Sequence, residues 1–224
     1  MKTKQIYSIG VIEDGFPSRL LSITNPPSTL YYLGDFSLVN ASKLIAIVGT
    51  RTPTPEGIEE CQFITQWFVE KGYCVVSGLA LGIDTVVHET CLNNLGKTIA
   101  VLPSGILNIY PPENEELADR IVNSGGLILS EYPERTSARK TYFIQRDRLQ
   151  SAISYGCVVI ESEVSGGTMH TARFTIKQNR LLGCVEFDDY SGNRCGNTKL
   201  LSSGKVFGIN RKSLKEFELL LKSS

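Results

Sequence analysis

Seen as a string of apolar and polar positions, the chain changes rhythm near residue 40. Before that point the pattern is irregular, with "NPPS" at 25–28 and "LGD" at 33–35 marking turns. "KLIAIVG" (43–49) is then a continuous apolar run, as a parallel strand buried on both faces requires. It leads through "TRTPTPEG" into a predicted helix over 55–71, where Ile58, Cys61, Ile64, Thr65 and Phe68 recur at helical spacing. "YCVVSG" (73–78) predicts a second strand, followed by a glycine turn and a helix over 83–94. "KTIAVLPSG" (97–105) is a third strand, and "ENEELADRIVNSG" (113–125) an acid-led helix closed by glycine. "GLILSE" (126–131) is a fourth strand and "YFIQRDRLQSAISYG" (142–156) a helix. The pattern closes with a strand over 157–163, a helix over 167–179, a weaker strand over 181–187 and an amphipathic helix over 212–221.

Strands alternating with helices at this spacing imply βαβ units and a mostly parallel central sheet. Ligands of such sheets sit beyond the C-terminal strand ends, where the strand order reverses. Gly49, Gly78, Gly82, Gly105, Gly166 and Gly167 all follow predicted strands, so a shared anion-lined crevice is expected there.

Composition narrows this only in part. The 224 residues suit one sizeable domain with a small appendage, and 42% hydrophobic content fits a globular chain. Basic and acidic residues balance at 23 each, which argues against a generally polycationic protein but leaves a local basic face open. The N-terminus lacks the apolar core of a signal peptide, and no stretch approaches the ~20 apolar residues of a membrane span. A cytoplasmic protein without membrane contact is therefore expected. The six cysteines are dispersed without a C-x-x-C pair, and several lie in apolar runs, as buried thiols in a reducing compartment do. With two histidines and no ligand pattern around either, no metal site is expected.

Four stretches carry chemistry. "VGTR" ends the first strand on Arg51, either a solvated arginine or a fork gripping phosphate. "SGLALGID" (77–84) is not the dinucleotide fingerprint, which needs G-x-G-x-x-G and an acid about twenty residues on. Ser77, Gly78 and Gly82 are expected to present donors to an anion at a helix N-terminus, with Asp84 holding the loop and His88 structural. "RTSARKTYFIQRDR" (135–148) sets Arg135, Arg139, Lys140, Arg146 and Arg148 around Tyr142 and Phe143. Cations for phosphates and π-faces for unpaired bases suit a single strand. Arg146 and Arg148 cannot share a helical face, so at least one is expected to have an internal partner such as Glu131 or Glu161. "ESEVSGGTMHTA" (161–172) repeats the strand–glycine–helix turn, with Gly166, Gly167 and Thr168 as donors.

Together these motifs resemble the DNA processing protein A family, also called Smf. Its members carry G-S/T-R, S-G-x-A-x-G-I-D-x-x-A-H, G-x-x-x-x-Y-P, S-E-x-P, F-x-x-R-N-R-I-I-x-x-L-S and S-G-x-x-x-T-A. Here stand "GTR" (49–51), "SGLALGIDTVVH" (77–88), "GILNIYP" (105–111), "SEYP" (130–133), "FIQRDRLQSAIS" (143–154) and "SGGTMHTA" (165–172). The resemblance covers about residues 16 to 210. It implies an α/β, extended Rossmann-like three-layer sandwich over 41–210, with a 1–40 extension packing on it and a 211–224 C-terminal helix. It also implies a single-stranded DNA-binding protein of DNA uptake, natural transformation and recombination, with a RecA-type recombinase and a second copy of the chain as partners.

The DNA-pocket residues so implied are Arg51, Ser77, Gly78, Phe143, Arg146 and Arg148, and Gly82, Gly166, Gly167 and Thr168 join them as the turn donors expected from the sequence itself. Lys140 is added on charge. No catalytic residue and no cofactor is implied. Asp147 departs from the family's asparagine, and Asp188 and Asp189 stand near an absent Pro-Gly. A winged-helix tail and an N-terminal helical domain, found in many members, are not expected.

The alternative is a nucleotide sensor or nucleotide-processing protein related to lysine-decarboxylase-like phosphoribohydrolases. Their P-G-G-x-G-T-x-x-E turn ends on a catalytic glutamate, where this chain has Thr171. A third reading is a scaffold for a recombinase partner.

Overall fold

Alternate residues of the run Leu44–Val48 go to opposite sides of one sheet. Leu44, Ala46 and Val48 join one hydrophobic cluster, while Ile45 and Ile47 join the other. That double burial is why the run carries no polar position. The computed structural model describes residues 5–190 and 192–223. In chain order its principal elements are β1 (Tyr7–Gly10), α1 (Ser18–Leu21), β2 (Thr29–Gly34), β3 (Leu44–Val48), α2 (Pro55–Glu70) and β4 (Cys74–Ser77). There follow α3 (Ile83–Asn93), β5 (Thr98–Leu102), α4 (Glu115–Asn123), β6 (Leu127–Ser130), α5 (Lys140–Ile153) and β7 (Gly156–Val159). The chain ends with α6 (Thr168–Lys177), β8 (Leu181–Val185), α7 (Cys195–Leu201), β9 (Phe207–Ile209) and α8 (Leu214–Ser223).

The described residues form a nine-stranded sheet in the order β1-β2-β6-β5-β4-β3-β7-β8-β9. From β6 to β9 every neighbour is parallel, whereas β2 lies antiparallel on β6 and β1 antiparallel on β2. The chain runs outward from β3 through β4 and β5 to β6, then returns to place β7 on the other flank of β3. The order therefore reverses between β3 and β7, and the loops leaving these two strands diverge over a crevice.

Helices cover both faces, giving three layers. On one side Leu149, Ala152, Ile153, Met169, Ala172 and Leu200 pack over the sheet, and Phe16, Leu20, Ile23 and Val39 join the same core. On the other, Ile64, Phe68, Val87 and Phe217 pack on β3, β7 and β8, with Leu117 and Ile121 beyond them on β5 and β6. Two expectations are corrected. The stretch before residue 40, expected to be irregular, contributes β1 and β2 to the sheet, and β9 was not foreseen. These strands lie at or near the edges and few of their residues are buried, so the apolar signal of double burial is missing from them.

Candidate nucleic-acid interface

The turn after β4 spends its donors internally. Gly78 N–H and Ala80 N–H both donate to Asp84 Oδ2, at 3.1 and 3.3 Å, and the Ser77 hydroxyl donates to the Ile47 carbonyl at 2.8 Å. The anion expected at this turn is thus the chain's own carboxylate, as the loop-holding reading of Asp84 anticipated. Ser77 is fully buried. Gly82 adopts φ 78°, and a Cβ there would fall 2.5 Å from the Thr50 carbonyl oxygen. It is a spacer between two loops, and Ile83 N–H donates to the same Thr50 carbonyl at 3.1 Å. Burial raises the Asp84 carboxyl above its usual range, against the pull of Arg146.

The two arginines of α5 are both buried, and only one faces the crevice. Arg146 Nη1 donates to the carbonyls of Gly78 (2.5 Å) and Val101 (2.7 Å), and its Nε to Asp147 Oδ1 at 3.1 Å. It ties the ends of β4 and β5 to α5 and forms part of the crevice floor. Arg148 points away. Its guanidinium makes a two-pronged pair with Glu131 (2.9 and 2.6 Å) and reaches the Asn25 and Gln145 carbonyls. The expected internal partner Glu131 is therefore correct for Arg148, while Glu161 pairs with Arg194 at 2.7 Å. Arg148 does not line the crevice, which corrects its placement among the pocket residues.

The crevice itself has a volume of about 680 Å³ and lies over the β3–β7 reversal. One wall is the loop after β3, carrying Thr50, Arg51 and Thr52. The second is the start of α5, where Arg139 and Lys140 are exposed. Gly166, Gly167 and Thr168 at the start of α6 form the third wall, and space is open where a Cβ at Gly167 would stand. Across the mouth, the Arg51 guanidinium lies over the Phe143 ring at 5.1 Å, and Tyr110 meets Phe143 edge-on at 5.4 Å. Among the described residues Arg51, Arg139 and Lys140 make no ion pair, so three cations are open to an anion. The start of α5 has no acidic residue in its first turn and no side-chain cap, which leaves its N–H groups electropositive as well.

Phe143, Arg146, Asp147 and Gln150 form one helical stripe facing this space. Burial lifts the Asp147 carboxyl to about 7, although Arg146 beside it acts in the opposite sense. His88 lies elsewhere, fully buried with Nδ1 2.8 Å from Thr98 Oγ1, and burial pulls it down to about 3. It is a neutral structural imidazole. Sequence reasoning did not place Thr50, Thr52, Tyr110, Arg139, Gln150 or Thr171 in the site. All of them but Thr52 do lie within the motifs it singled out. Among the described residues no group of three or more histidines, cysteines or acids could hold a metal ion.

The chain matches the family model "DNA recombination-mediator protein A" over residues 8–216. It is 36% identical over 202 residues to a DNA processing protein of Bacillus subtilis, covering 89% of this chain and 67% of that one. A Smf protein of Synechocystis is 40% identical over 168 residues, covering 74% of this chain and 42% of its own length. The chain thus spans less than half of that relative. Among solved structures, a Helicobacter pylori DNA processing protein A, described for its single-stranded DNA binding mode, superposes with a TM-score of 0.87. The two are 29% identical, and the match covers 99% of this chain and 98% of that one.

Proposed function

The chain belongs to the DNA recombination-mediator protein A family, and from that premise we propose that its crevice binds single-stranded DNA during DNA uptake and recombination. The observation that carries this reading is the Arg51 guanidinium held over the Phe143 ring, at the mouth of a space that Arg139 and Lys140 also border. Cations there meet phosphates, and the ring offers a face to an unstacked base, worth ~1–3 kcal/mol per base. Arg146 supports the floor, and Gly167 and Thr168 offer backbone and hydroxyl donors to the strand, whereas the Gly166 N–H is engaged by the Glu163 carbonyl at 3.1 Å.

In natural transformation such a protein coats incoming single strands in the cytoplasm and passes them to a RecA-type recombinase. A homodimer places two crevices on one strand. Binding, not turnover, is the activity, with neither cofactor nor metal. The small-nucleotide alternative is not favoured: α6 carries no carboxylate, and Thr171 occupies the position of the hydrolytic glutamate. Fluorescence anisotropy with single-stranded, double-stranded and mononucleotide ligands across salt tests the reading. Preference for the single strand with a steep salt slope supports it, and preference for a mononucleotide overturns it.

A further inference from the structure

Below the cationic mouth the crevice changes character. One and two helical turns beyond Phe143, on the same stripe of α5, stand Asp147 and Gln150, which are 6% and 1% exposed. Asp147 Oδ1 accepts from Arg146 Nε, while among the described residues no donor meets Oδ2. Gln150 Nε2 is buried and has no hydrogen-bond partner among the described residues. A buried donor left unpaired is costly, and native proteins rarely keep one without a use. A phosphate does not use this floor, because Asp147 would face it with a second negative charge. In the helix motif quoted above, these two positions are asparagine and isoleucine, so the acceptor and the amide are features of this chain.

We propose that Asp147 and Gln150 read the edge of one unstacked base at the crevice floor, and that the base they fit is guanine. The inference rests on the single-stranded DNA reading above. Guanine alone among the DNA bases sets two adjacent N–H donors, at N1 and N2, beside the O6 acceptor. The Asp147 carboxylate takes the two donors, and the Gln150 amide N–H donates to O6. Adenine and cytosine each bring an acceptor to the middle of the edge, against the carboxylate, and thymine brings one donor between two carbonyls. A site with buried polar groups discriminates against ligands that leave those groups unpaired. The crevice volume of about 680 Å³ leaves room for a whole nucleotide with its base directed inward.

The test compares labelled oligo(dT) with the same oligomer carrying one central dG, dA or dC, at pH 8, for the unmodified protein, D147N and Q150L. The readout is each variant's ratio of affinities between oligomers. The single dG is expected to tighten binding about tenfold over dT, the range a two-pronged base contact supplies. In D147N and in Q150L that ratio falls to parity, with melting curves confirming that both variants fold. If the unmodified protein binds all oligomers equally, or if the dG ratio persists in both variants, the guanine inference is overturned while the single-stranded DNA reading stands. If no oligomer binds, the DNA reading itself fails and takes the inference with it.

Discussion

Asp84 and Gly78 face each other across the turn after β4, with the Gly78 N–H donating to Asp84 Oδ2 at 3.1 Å. The same carboxylate neutralises the surroundings of Arg146, whose guanidinium holds the Gly78 carbonyl. Removing it in Asp84→Ala leaves two N–H groups without their acceptor and a buried guanidinium with one carboxylate fewer. The expected loss is about 3 kcal/mol of stability. Denaturant unfolding of the variant measures it, and a loss within about 0.5 kcal/mol, the range of ordinary surface changes, would show that the turn holds itself.

Arg51 behaves oppositely. It is exposed and makes no ion pair among the described residues, so Arg51→Ala is expected to leave the melting temperature in place. Affinity for oligo(dT) should fall, with the slope of log K against log salt reduced by about one. Lys140→Ala is expected to act in the same sense. Unchanged affinity and slope in both variants would remove this mouth from the DNA path.

Arg148→Ala separates structure from binding. Its guanidinium is two-pronged on Glu131 and lies outside the crevice. The variant is expected to lose about 3–5 kcal/mol, because Glu131 is left charged and largely buried. The folded fraction should keep an unaltered salt slope. A reduced slope with normal stability would return Arg148 to the site.

Asp147 makes stability depend on pH. Its carboxyl titrates at about 7 in the folded protein, against about 3.9 in an unfolded chain. Between those values the folded state holds the extra proton, so stability falls as pH rises from about 4 through 7. The groups bearing on it are Arg146, Asp84 and Arg51. Asp147→Asn is expected to raise the melting temperature at pH 8, by up to about 4 kcal/mol of stability, and to leave it nearly unchanged near about pH 4. Calorimetry at the two values checks this, and an equal gain at both would exclude the titration as the cause.

The parallel strands were legible because each run, such as 44–48, is apolar at all or nearly all positions, as burial on both faces demands. Leu127–Ser130 and Gly156–Val159 betray themselves in the same way. β1, with Tyr7 and Ser8 exposed, gives no such run, and the antiparallel edge went unread. The site shows a similar division. Arg51, Lys140 and Phe143 could be picked out by type and neighbourhood. What the sequence conceals is whether a donor or cation is already engaged. The acceptor for Gly78 lies six residues on, the partner of Arg148 lies 17 residues back, and both are fixed only by the packing of α3 and α5. Gln150 stands where the helix motif has isoleucine, but a glutamine in a helix reads as a surface residue, so its burial could not be read.

The close approach of Gly82 to the loop after β3 has a kinetic consequence. With Ile83 N–H fixed on the Thr50 carbonyl and no side chain at 82 to hold them apart, the Arg51 loop and the start of α3 form a single rigid block. The Arg51 wall is therefore preorganised, its ordering completed during folding instead of on contact with a strand. Association then needs little rearrangement of that wall, so its rate should be governed by diffusion and charge and its selectivity by the residence time of the strand.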